Sequence, residues 1–393
     1  MAVKAYHPAW ARNAAVRKAA SRWQKQGFIT PGQHAAIEQA HPLDYYRPPL
    51  FLRIGLFLFT CLGALAGAVF VGLATRFNLP AICLLCGIGA IVLLEIITSN
   101  PPRHYGSGFD TALLYCALLA VGVFLAYLYE QAWANAYSID FDSPAISALL
   151  LPLLAVFGAA TIRYADRLVA ACTYLLYLAT IANGLLQSSL GQALLPFGIM
   201  LASGGAYLLF RRLSRRDYAY YYQKPLTLVK ALALISFYLG GNYFVVREGS
   251  AALRSLPEST QISFAPLFYL FTVAIPFIYI SLSLRRHNRQ MLWIGLFVVG
   301  FSIYTYRHYR SLLPPEYAAT LAGLALIGFA IWALRYLHTP RYGLTAAPDD
   351  EQAPLINLEA LIVAETATVP TPEPAGFDFG GGSSGGGGAT GRF

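Results

Sequence analysis

Apolar residues fall in long unbroken runs along most of this chain, and polar residues gather between them. Runs stand at about 51–74, 80–98, 111–129, 145–162, 168–186, 193–210, 226–246, 266–284, 291–306 and 316–334. A helix needs about 20 such residues to cross a hydrocarbon core of about 30 Å. The links are short, so successive helices are expected to run antiparallel. The alternation over about 10 residues that an outer-membrane barrel requires is missing. The pattern predicts an all-α fold, a polytopic transmembrane helical bundle of about ten spans over residues 50–338.

Three prolines, Pro152, Pro196 and Pro276, fall inside these runs. Each lacks a backbone donor and favours a kink, with Pro276 near mid-span. Gly63 and Gly67 form a small-x3-small pair in the first run, which lets helix backbones approach closely. Packing within the bundle is the expectation for it, with dimerisation as the alternative.

The polar segment before the first run, residues 1–49, has helical periodicity. Val16, Ala19, Ala20 and Trp23 recur on one face, and Arg12, Lys18, Arg22 and Lys25 cover others. Gly27 is placed to end that helix. Thr30, Pro31 and Gln33 then give an N-cap, a first-turn proline and a capping-box glutamine. A small helical hairpin is predicted, resting on the membrane surface or on the protein's own loops. A DNA-binding reading fails because Pro31 to Ala40 holds no Lys or Arg. No nucleic-acid partner is expected.

Trp23, Gly27, Ile29, Gln33 and Ile37, in the order W-x3-G-x-I-x3-Q-x3-I, resemble the N-terminal segment of an uncharacterised family of bacterial predicted multi-pass membrane proteins. The specific likeness covers about the first 40 residues. It implies a bacterial inner-membrane location and a domain of unknown function.

Composition agrees with the runs. The 393 residues are 57% hydrophobic and only 12% charged, where soluble domains carry about 25%. The cations of the +9 chain flank the spans, so anionic lipid headgroups are their natural partners. With the N-terminus placed inside, 23 of the 28 Lys and Arg fall on inner segments and 5 on outer loops. Positive charge is retained in the cytoplasm, so both termini are assigned there. Arg211, Arg212, Arg215 and Arg216, followed by Lys224 and Lys230, are the strongest topology determinants.

Residues 339–393 change character. They hold seven acids, and nine glycines among the last eighteen residues. A disordered, solvated cytoplasmic tail is predicted. The alternative is a peptide that a protein partner recognises.

Candidate chemistry is sparse. Cys61, Cys83, Cys86, Cys116 and Cys172 lie inside apolar runs, and Cys83 and Cys86 have no second ligand pair. No catalytic motif, phosphate loop, metal site or cofactor site emerges, which argues against an enzyme. Glu95 is the only acid within an apolar run, and an ionisable residue there is a functional candidate. Its structural reading is an anchor near the membrane boundary, paired with Arg103 or Arg163. Asn183 and Asn242 complete the candidate intramembrane polar set. The scarcity of buried polar residues favours a non-enzymatic envelope sensing or scaffolding role. The alternative is a small-solute transporter with a cavity between two helix groups, lined by residues such as Tyr174, Tyr238, Thr272 and Tyr279.

Overall fold

A computed structural model describes residues 4–101, 103–133, 141–216, 219–253, 259, 261–262, 264–286 and 288–309, with scattered positions from 320 to 338. The expected tail at 339–393, and most of the run at 316–334, lie outside the described residues. The scattered positions belong to a second unit, residues 315–393, and are mostly helical.

Two helices precede the spans: α1 (Pro8–Lys25) and α2 (Pro31–Ala40). Gly27 turns the chain between them with φ of +76°, a conformation that a side chain opposes. Thr30 and Gln33 cap α2 reciprocally, as a capping box. Arg17 pairs with Glu38 at 3.1 Å, and Ser21 bonds His34 at 3.2 Å, so the two helices hold together as a hairpin.

The first unit continues through α3 (Leu50–Ala74), α4 (Leu79–Ser99), α5 (Phe109–Trp133), α6 (Pro144–Tyr164), α7 (Arg167–Leu186), α8 (Ser189–Leu213), α9 (Ala219–Gly241), α10 (Tyr243–Leu253), α11 (Ala265–Arg285) and α12 (Arg289–Tyr309). Side-chain caps start several of them: Asn78 on α4, Ser143 on α6, Asp166 on α7 and Ser188 on α8. Each satisfies an amide that the first helical turn leaves without a partner.

Among the described residues, seven helices are long and apolar enough to cross a membrane, namely α3 to α8 and α11. The count is eight if α9 and α10 form one bent span. The run expected as a span at 226–246 is not one continuous helix: it breaks after Gly241. Helix α12 fills the run at 291–306, but Arg289 and Gln290 at one end and Arg307 and His308 at the other leave its apolar stretch shorter than those of the seven. Outward faces are hydrocarbon: Phe59 and Phe70 of α3 are 75% and 73% exposed. Such a surface needs a bilayer around it. The chain is a multi-pass membrane protein.

The sharp break is at Asn242, where α9 and α10 meet at 75°, and no proline causes it. Gly240 and Gly241 sit tight against α8 and α11; a Cβ on Gly241 would lie 2.9 Å from Ile275. Asn242 then caps α10 by accepting from the Val245 amide at 3.2 Å.

Helix α9 is the hub, touching α1, α7, α8, α10, α11 and α12. One core gathers Met200, Leu234, Tyr238, Ile275, Tyr279, Met291 and Val298 around it. Helix α3 is peripheral. It packs through Thr60 and Gly72, while Gly63 and Gly67 are exposed with no neighbour among the described residues. Among the described residues nothing packs against the pair, so the packing expected for it inside the bundle is not seen there.

Candidate functional site

The end of the bundle that carries the hairpin is built from three non-local contacts. The first closes the α6–α7 turn. Ala165 takes a left-handed conformation, φ of +51°, and Asp166 caps α7. The last carbonyls of α6 lack helical partners. Tyr222 donates to the Ile162 carbonyl at 2.7 Å and Tyr221 to the Arg163 carbonyl at 2.5 Å. The Ala5 amide donates to the same Arg163 carbonyl at 2.9 Å. Helix α9 and the N-terminal segment thus both finish α6.

The second contact is an ion pair between α4 and α6. Glu95 accepts from Arg163 Nε at 2.8 Å and Nη2 at 2.5 Å, a bidentate arrangement. The Tyr164 hydroxyl donates to the same carboxylate at 2.5 Å. Of the two partners expected for Glu95, the structure selects Arg163.

The third contact centres on Asp110 in the first turn of α5, 1% exposed. The Gly106 and Ser107 amides donate to it at 2.7 and 3.0 Å, and Tyr6 donates at 3.1 Å. A carboxylate at a helix N-terminus also meets the positive end of the helix dipole. The loop reaches this position because Gly108, φ of +92°, runs against α3; a Cβ there would lie 2.2 Å from the Arg53 carbonyl. Burial, and then the adjacent Asp110 charge, push the Tyr6 phenol well above its ordinary range. Tyr6 and Trp10 are buried among Leu94, Leu113, Tyr164, Val169 and Tyr221. Tyr105 packs edge-on to Tyr6 at 4.8 Å and Tyr45 at 5.1 Å.

Beside this plug lies a cavity of about 410 Å³, lined among others by Tyr6, Arg53, Asp110, Asp166, Arg167 and Lys224. Its volume falls in the range of small-molecule sites.

The three intramembrane candidates are not brought together. Glu95 lies at the hairpin end. Asn183 lies at the far end of α7, fully buried, donating to the Phe141 and Ser143 carbonyls at 2.6 and 3.1 Å. Its oxygen accepts from Ser147 at 2.5 Å. Asn242 donates to Tyr238 at 2.8 Å and Thr305 at 3.0 Å. Tyr174 bonds Ser203, Tyr279 bonds the Leu234 carbonyl, and Thr272 accepts from the Tyr243 amide. These groups tie packed helices together, and Tyr174 also lines a largely apolar cavity of about 570 Å³. Arg211 and Arg212 fall in the last turn of α8, with Arg215 and Arg216 just beyond.

No protein-family model, curated protein or solved structure matches the chain. The site is read from its own chemistry. Sequence reasoning missed Tyr6, Asp110 and Tyr164. The one legible signal was Gly106-Ser-Gly-Phe-Asp110, turn residues followed by an acid at the start of an apolar run.

Proposed function

We propose that the protein is a non-enzymatic sensing or scaffolding element of a bacterial inner membrane, with its N-terminal hairpin as the responsive part at the cytoplasmic face. The observation that carries this reading is the docking of the hairpin: Tyr6 and Trp10 are buried in the mouth of the bundle, and Tyr6 bonds Asp110. The polar groups deeper in the bundle are paired with one another. The open polar space lies beside the docked segment, where a partner or ligand has access. The excess of Lys and Arg at the hairpin end supports the inward orientation, with anionic headgroups as the surrounding partners. Residues 339–393 then offer an acidic peptide on the same side for a protein partner.

Spin labels test it in nanodiscs, on a chain whose five native cysteines are replaced. Labels at Ala36→Cys and Ser99→Cys should give one narrow distance, and Trp10→Ala should broaden it. An unchanged distribution in Trp10→Ala overturns hairpin docking as the responsive element.

A second reading, solute transport, draws on the 75° break at Asn242. Interrupted helices line substrate sites in transporters. Here the Asn242 side chain and the Tyr243 amide are already engaged within the protein. Solute flux into proteoliposomes that is abolished by Asn242→Ala in a folded protein would favour transport over the sensing reading.

A further inference from the structure

Five cations converge where α1 meets the bundle. Arg47, Arg167 and Lys224 line the cavity of about 410 Å³, and Arg53 joins them there. The same three line an adjoining cleft of about 690 Å³, with Lys18 of α1 on its other wall. Tyr105, Tyr220, Tyr221, Gln223 and Gln290 supply aromatic and amide surface to that cleft, and among the described residues no carboxylate lines it.

The charges are only partly compensated: Asp166 acts attractively on Lys224 and Asp110 on Arg53. Arg47, Arg53 and Arg167 each act on the Lys224 ammonium repulsively. Among the described residues, none of the five is in an ion pair. Among the described residues the Arg53 Nε is buried without a hydrogen-bond partner, and its Nη2 reaches the Pro48 carbonyl at 3.4 Å. The two nearby acids keep their charge, but among the described residues their hydrogen bonds come from neutral donors and not from the cations. Asp110 is held by Tyr6, Gly106 and Ser107. Asp166 accepts from Tyr115 and from the Leu168 and Val169 amides. Retention of positive charge at an inner membrane face explains cations on a convex surface. It does not explain like charges crowded into a walled, concave cleft.

We propose that this cleft binds a phosphate-bearing ligand, held between Lys18 of the hairpin and Arg47, Arg167 and Lys224 of the bundle. A phosphate offers several acceptor oxygens and a charge of about −1 as a diester or near −2 as a monoester, which guanidinium groups meet bidentately. The tyrosine and alanine walls accommodate the ester part. The phosphate comes from a soluble phosphorylated molecule or from a lipid headgroup at the bundle rim. This deepens the sensing reading and rests on it, because a ligand bridging Lys18 to the bundle couples its own presence to hairpin docking.

The test uses the full chain in phosphatidylcholine nanodiscs, titrated with inorganic phosphate and pyrophosphate at low salt. Pyrophosphate should raise the thermal midpoint and bind measurably. The Arg47→Gln/Arg167→Gln pair should weaken binding about tenfold per cation removed, the worth of one charge-assisted hydrogen bond. A second arm adds phosphatidylglycerol to the nanodiscs. Stabilisation there, lost in the double variant and with soluble phosphates silent, assigns a lipid headgroup as the source. Arg211→Gln/Arg212→Gln, outside the cleft, should bind as the parent does. If the first double variant fails to fold, Lys18→Gln on the exposed face of α1 carries the test. No stabilisation by any probe, or equal losses in the cleft and control variants, overturns the site. The Ala36–Ser99 distance, read without ligand, reports separately on the docking reading.

Discussion

The Tyr6 hydroxyl donates to the Asp110 carboxylate at 3.1 Å, joining the sixth residue to the first turn of α5. That bond, with Trp10 beside it, fixes where the N-terminal hairpin sits on the bundle. The Arg163 carbonyl, shared by the Ala5 amide and the Tyr221 hydroxyl, seals the same contact from the α9 side.

The two anchors should differ in strength. Tyr6→Phe removes one hydrogen bond while Asp110 keeps its amide donors, so a loss of about 0.5–1.5 kcal/mol is expected. Trp10→Ala empties a buried aromatic site and should cost about 3–5 kcal/mol. Amide exchange over α1 reads both. Equal protection in the two variants would show that Trp10 is not the main anchor.

Docking should weaken at alkaline pH. The folded Tyr6 phenol is raised above its unfolded value, so only the unfolded state releases the proton as pH passes about 10. Its contribution is complete below that point and declines above it. Exchange over α1, followed as a function of pH, should lose this alkaline component in Tyr6→Phe. A parent and variant with identical profiles would remove Tyr6 as the titrating group.

Glu95 is expected to act as a structural partner of Arg163. Glu95→Gln keeps the shape and should lower the thermal midpoint, costing about 1.5–3 kcal/mol for a charged hydrogen bond. A double-mutant cycle with Arg163→Gln should show positive coupling. Unchanged stability together with loss of pH-dependent solute flux would make Glu95 a coupling carboxylate instead.

Asn242 holds the break between α9 and α10. Asn242→Ala removes the α10 cap and the Asn242 bonds to Tyr238 and Thr305, leaving Thr305 only the Phe301 carbonyl among the described residues, a loss of about 1–3 kcal/mol. Protection of the Tyr243 to Val246 amides should fall first. Full protection there would assign the break to glycine packing alone.

The inward orientation of the hairpin end is tested by labelling in a cysteine-replaced chain. Ser189→Cys, at the far end, should react with an impermeant thiol reagent added outside intact cells. Ser214→Cys should stay unlabelled until the membrane is opened. The reverse pattern sinks the proposed topology.

Local signals in the sequence were enough for the membrane class and for most helix ends. Apolar runs long enough to span a bilayer settle the first, since a helix rises about 1.5 Å per residue whatever surrounds it. Thr30, Gln33 and Gly27 settle the hairpin turn, because caps act on amides and carbonyls within a few residues. Tertiary structure alone chose Arg163 over Arg103 for Glu95, put Gly63 and Gly67 on an open face, and broke the ninth helix at Asn242 instead of at a proline. It also joined Tyr6 to Asp110 and turned Arg47, Arg167 and Lys224 toward one cleft. These contacts link residues far apart in the chain, on elements of ordinary local pattern. Which partner a side chain meets depends on how each helix is rotated about its axis, and that rotation follows from the packing of the whole bundle.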